Sequence, residues 1–166
     1  GEHLPNAVYG DPTQLTAILS NLLDNATKFT EAGSIEFNVS AEPQNDANKG
    51  IALKFSITDT GIGLTPIAQE KLFKPFTQAD STHSRRHGGL GIGLALSSEL
   101  ASLMDGHISY SQNHPKGSNF TLSLSLNQAE ETLFQHPTVR TNGNYNKSAN
   151  SPLNHNKTTI LIVEDN

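Results

Sequence analysis

The chain has 166 residues, with 11 Lys+Arg against 16 Asp+Glu and a formal net charge of −5. Cysteine is absent, which excludes a disulfide framework, a thiolate metal site and a cysteine nucleophile together. The acidic balance lacks the basic run of a general nucleic-acid grip, no apolar stretch approaches the ~20 residues of a membrane-spanning helix, and no signal-peptide pattern opens the chain. A soluble intracellular domain is the class expected, without membrane contact.

In chain order, Asp11-Pro12-Thr13-Gln14 starts a helix, with Asp11 as cap, Pro12 in the first turn and Gln14 placed to reach back to the cap. Leu15, Ile18, Leu19, Leu22, Leu23 and Ala26 follow at helical spacing. Residues 34–40 alternate, with Ile35, Phe37 and Val39 on one face, and so do residues 51–57. The polar run Pro43 to Gly50 between them reads as a hairpin loop. A short helix is expected from Pro66 to Phe73 and a longer one from Ile92 to Met104. Strands are expected at His107–Ser111 and Phe120–Leu126, with Asn and Gly in the turn between them. Residues 1–126 thus form one domain. Residues 127–157 are Asn-rich, contain Pro137 and Pro152 and have no hydrophobic period, so a flexible linker is expected. Residues 158–166 resemble a buried strand that ends in acid, the start of a second domain.

Three features point to chemistry. On the first helix Asn21, Asn25 and Lys28 form a polar stripe roughly 120° from the apolar one. Carboxamide oxygens are hard donors suited to magnesium and lysine offers a point charge to phosphate, although the same stripe also fits a solvated face. Asp59-Thr60-Gly61-Ile62-Gly63 follows the second alternating strand. A carboxylate there can accept from an exocyclic amine while the glycines admit a ring, or the segment is only a tight turn. Finally, Gly88-Gly89-Leu90-Gly91-Ile92-Gly93 feeds a helix N-terminus, a ready phosphate cradle. It is neither a dinucleotide fingerprint nor a P-loop. The polar run Gln78–His87 before it reads as a lid whose arginines close over phosphates, or as a plain surface loop. His83 and His87 lack a third metal ligand.

In order, these pieces resemble the catalytic ATP-binding domain of sensor histidine kinases. NLLDNATKFT (residues 21–30) is similar to the N box and DTGIGL (59–64) to the first glycine box. KLFKPFTQAD (71–80) is similar to the F box and RRHGGLGIGLAL (85–96) to the second glycine box. KTTILIVEDN (157–166) resembles the first strand of a response-regulator receiver domain, with Glu164 and Asp165 in its acidic pair, as in a hybrid kinase. The resemblance implies a Bergerat-type two-layer α/β sandwich, a mixed sheet with helices on one face, acting on ATP with Mg2+. It places Asn25 on the metal, Asn21 in support and Lys28 on phosphate. Phe29 would stack on adenine, and Asp59 would take the adenine amino group in a pocket shaped by Gly61 and Gly63. Phe73 and Phe76 would anchor the lid and Arg85 would reach the γ-phosphate. Gly89, Gly91 and Gly93 would serve the hinge and the phosphates, with Leu94 lining the site. Asn21, Lys28 and Arg85 are the catalytic candidates.

Two positions depart from the pattern, Leu90 where the family commonly has Thr and Ile92 where it has Leu. No His-Glu-x-x-[TP] phosphoacceptor motif occurs, since His3 is followed by Leu4-Pro5. The acceptor histidine is therefore expected on a separate dimerisation domain, and the receiver aspartate beyond residue 166. The parent is expected to be a cytoplasmic-facing phosphoprotein anchored in the inner membrane, and this chain to be monomeric. Two other readings stand beside this one. A gyrase- or chaperone-like ATPase would need a glutamate where Asn21 stands, because an amide cannot activate water. A degenerate nucleotide-binding regulatory module is supported by Leu90 alone.

Overall fold

A computed structural model describes residues 4–43, 50–76, 91–129 and 158–161. Strand β1 (Ala7–Gly10) leads into helix α1 (Pro12–Phe29), which starts as its sequence dictates. Asp11 Oδ1 accepts from the Thr13 and Gln14 amides at 2.9 and 3.1 Å. Gln14 reaches back through Nε2 to Asp11 Oδ2 at 3.1 Å, so the reciprocal bond goes to the capping carboxylate. Strands β2 (Ile35–Pro43) and β3 (Ile51–Asp59) pair antiparallel along their length. Helix α2 (Pro66–Gln69) is shorter than expected. Beyond it, Lys71, Leu72 and Lys74 donate to carbonyls three residues back, so the chain winds on as tight turns. Helix α3 (Gly93–Leu103) matches expectation and ends with Asp105 in a left-handed conformation. Strands β4 (Gly106–Gln112), β5 (Ser118–Gln128) and β6 (Thr158–Leu161) complete the described elements.

The strand order is β2-β3-β5-β1-β6, with β4 also paired to β5. The two-layer α/β sandwich expected from the sequence is the fold observed, but the sheet, expected to be mixed, is antiparallel in every described pairing. Alternation along β3 and β5 sends Leu53, Phe55, Ile57, Phe120, Leu122 and Leu124 toward the helices. Ile18 and Leu22 of α1 meet them at 0% exposure, and burying each such side chain contributes about 1.5–3 kcal/mol. The opposite sheet face is polar, with Lys54 paired to Glu42 at 2.8 Å in the open. No helix among the described residues is long and apolar enough to cross a membrane.

The sheet extends past residue 126. Asn127 and Gln128 pair with Tyr9 and Val8, and the Ala129 amide donates to the Ala7 carbonyl at 2.9 Å. Of the segment expected as a linker, 127–129 therefore belongs to the sheet, and residues 130–157 lie outside the described residues. Thr158–Leu161 forms a strand, as its composition predicts, and lies antiparallel on β1.

Candidate nucleotide-binding site

The amide stripe lies on the flank of α1 that its apolar stripe leaves uncovered: Asn21, Asn25 and Lys28 are all half-buried. Lys28 Nζ sits 5.2 Å from the centre of the Phe29 ring, itself 37% exposed at the end of the helix. Asn21 points at α3. Its Nδ2 donates to Ser97 Oγ at 2.9 Å, and a Cβ added at Gly93 would lie 2.4 Å from its Oδ1. Gly93 thus leaves room for the Asn21 side chain between α1 and α3. The N-cap residue of α3, Ile92, makes no side-chain bond to the first turn, so its own side chain does not compete with an anion for the leading N–H groups. Leu94 packs partly buried against the core.

Asp59 ends β3 at 3% exposure. Its Oδ1 accepts from the Gly61 amide at 2.8 Å and from the Ser118 amide at 3.2 Å. Both of these amides donate to Oδ1, and no donor among the described residues reaches Oδ2. The loop after it is fixed from two sides. Ile62 N–H donates to the Phe29 carbonyl at 3.2 Å, docking the loop on the end of α1. Gly61 is required there, since a Cβ would lie 2.2 Å from that carbonyl oxygen. On the other side, Asn113 Nδ2 donates to the Asp59 carbonyl at 2.9 Å. Gly117, at φ +122, passes so close that a Cβ would meet the same oxygen at 1.9 Å. Gly63 has φ +69 and faces Gly117. Thr30 Oγ1 is buried beside Gly61 with no hydrogen-bond partner among the described residues.

Phe73 packs partly buried against the core. The Phe76 ring does not: it is 78% exposed. What Phe76 contributes is backbone, its N–H donating to the Gly91 carbonyl at 3.1 Å with both residues left-handed, at φ 62 and 66. Arg85, Gly89 and Leu90, with the lid segment and both lid histidines, lie outside the described residues. Ser97, Asn113, Gly117 and Ser118 were not singled out from the sequence. The acidic groups of the described residues form no cluster with histidine that could hold a metal ion, which leaves the amides as the hard donors of the stripe.

Residues 10–128 match the family model described as histidine kinase-, DNA gyrase B-, and HSP90-like ATPase. The chain is 38% identical over 137 residues to the signal transduction histidine-protein kinase BarA of Shigella flexneri, a match covering 82% of this chain and 15% of that protein. It is 41% identical over 127 residues to the sensor protein GacS of Pseudomonas syringae pv. syringae, covering 76% of this chain and 14% of GacS. The crystal structure of full-length ShkA in complex with AMPPNP superposes with a TM-score of 0.61 at 32% identity, over 77% of this chain and 24% of that one. The chain therefore spans about 15% of the length of the curated relatives it matches.

Proposed function

Because the chain belongs to the histidine kinase-, DNA gyrase B-, and HSP90-like ATPase family and its relatives are sensor kinases, we propose that it transfers the γ-phosphoryl group of Mg·ATP to a histidine on a separate dimerisation domain, for relay to a receiver aspartate. The observation that carries this reading is Asp59: a carboxylate 3% exposed, with two amides on one oxygen and no donor to the other among the described residues, in a loop docked on the helix that bears the amide stripe. Such an acceptor suits the exocyclic amine of adenine. Phe29 is the aromatic at the adjoining helix end, and Gly61 and Gly63 keep the loop close to the ring.

At the phosphate end the donor set fits a hard cation, with Asn25 as the metal ligand, Asn21 beside it, and Lys28 and the leading α3 amides facing phosphate. A bound Mg2+ supplies neutralisation of phosphate charge. Arg85 is assigned to the γ-phosphate, and Gly89, Gly91 and Phe76 to the segment that closes on it. The protein's own contribution is positioning and charge: the P–O bond to ADP breaks and a P–N bond to the acceptor histidine forms, with the acceptor's base supplied by the partner domain. With an amide at Asn21, the position one turn before Asn25 holds no carboxylate to activate water, which favours transfer over hydrolysis.

Residues 158–166 are proposed as the start of a receiver domain on the strength of KTTILIVEDN. The same reading puts the domain in the cytoplasm, on a parent anchored in the inner membrane. The test is a calorimetric titration with a non-hydrolysable ATP analogue, with and without Mg2+, then phosphotransfer to a supplied histidine domain. Magnesium-dependent binding followed by a labelled histidine is the expected result. No binding under either condition refutes the reading.

A further inference from the structure

We propose that Ser97 is a positioning residue for the phosphate end of this site. Its hydroxyl holds the Asn21 carboxamide and thereby ties the metal-bearing helix α1 to the N-terminus of α3. The inference rests on the kinase reading above and adds to it a residue outside all the motif positions to which that reading gives a role.

Three observations meet at Asn21. Ser97 is 2% exposed, although serine is a residue usually left at the surface. Its Oγ accepts from Asn21 Nδ2 at 2.9 Å across 76 residues of sequence. Gly93, four residues earlier and so on the same face of α3, presents bare backbone to Asn21 Oδ1. One end of the carboxamide is therefore held by the Ser97 hydroxyl, and the other lies against a turn of α3 that carries no side chain at Gly93. Asn21 in turn is one helical turn from Asn25 and two from Lys28. α3 begins with amide groups that its N-cap residue, Ile92, does not cap. The Asn21–Ser97 bond thus bridges the two helices whose polar groups face phosphate, and holds their spacing.

Without the Ser97 hydroxyl, the Asn21 amide loses its acceptor and its side chain is released to other rotamers, while the adenine loop, held separately through Phe29, Asn113 and Ser118, is untouched. The effect should therefore be confined to the phosphate end. The test uses the full chain, titrated with a Mg-loaded non-hydrolysable ATP analogue and, separately, with adenosine. Ser97→Ala is expected to weaken the Mg-nucleotide about tenfold and adenosine less than twofold. Ser97→Cys, which keeps the volume but accepts hydrogen bonds poorly, should behave like alanine, and Ser97→Thr should restore binding. In an Asn21→Ala background, Ser97→Ala should add less than twofold, because the residue acts through Asn21.

Effects that multiply in the double variant, equal weakening of both ligands, or a Ser97→Ala chain that binds as the wild type overturns this assignment alone. A wild-type chain that binds neither form of nucleotide overturns the kinase reading and this inference with it.

Discussion

Replacing Asp59 with asparagine keeps the shape of the side chain and changes only what it offers. Oδ1 serves two buried amides, those of Gly61 and Ser118. Turning the new NH2 toward them would leave both N–H groups unsatisfied, at about 1–3 kcal/mol each, so the carboxamide oxygen stays on the amides. On the adenine assignment proposed above, the NH2 then takes the place of Oδ2 and meets the adenine amine donor to donor. The lost charge-assisted bond is worth about 1.5–3 kcal/mol, which corresponds to a 10- to 150-fold rise in Kd for an ATP analogue. Guanine presents a carbonyl oxygen where adenine has its amine, so the same NH2 suits a GTP analogue and the preference between the two narrows. The two retained bonds weaken from charged to neutral acceptors, and a loss of about 1–3 kcal/mol in folding stability accompanies the binding defect. Calorimetry with both analogues, alongside urea denaturation, separates the two effects. An Asp59→Asn chain that stays folded and binds ATP analogue with unchanged affinity and preference would refute the adenine assignment.

Two further predictions concern the other end of the site and the clamp behind it. Asn25→Ala removes a half-buried polar group from the flank of α1, so thermal unfolding should stay close to wild type while Mg2+ no longer tightens nucleotide binding; a preserved magnesium dependence in the same titration would reject Asn25 as the ligand. Gly117→Ala places a Cβ 1.9 Å from the Asp59 carbonyl at a left-handed φ, and that neighbour is backbone, which cannot step aside. A loss of about 2–4 kcal/mol in urea denaturation is expected, with nucleotide affinity falling as Asp59 shifts, and an unchanged midpoint would contradict the close approach.

What was legible in the sequence is what local pattern encodes. Asp11, Pro12 and the Leu15–Ala26 spacing give α1 its start and its buried face, and alternation gives β3 and β5 theirs. The same patterns mark Asn21, Asn25 and Asp59, because a helix wheel and a strand end are read within a few residues. Contacts made through backbone across long separations were not legible. The Ser118 amide reaches Asp59 from 59 residues away, Asn113 from 54, and Ser97 meets Asn21 across 76, all without a periodic signature. Asn127 and Gln128 look like linker by side chain, yet pair with β1, because a ladder is built from N–H and C=O groups that every non-proline residue carries. At Phe76, expected to anchor the lid, the bond seen among the described residues is made by its amide to the Gly91 carbonyl, a backbone contact that the residue type does not announce.

Helix α1 is the common support of both ends of the site. One stripe of it, Ile18, Leu22 and Ala26, is locked against the sheet at 0–3% exposure, so the helix cannot rotate without opening the core. The second stripe is carried along rigidly about a third of a turn away. From Asn21 to Phe29 the axis advances about 12 Å, from the contact with α3 to the carbonyl on which the Asp59 loop is docked. A ligand held at both ends of that span would have its base at one and its phosphates at the other. The two ends are fastened by independent bonds, Ile62 to Phe29 and Asn21 to Ser97. A substitution at one end should therefore change the affinity for that part of the nucleotide and leave the other part as it was.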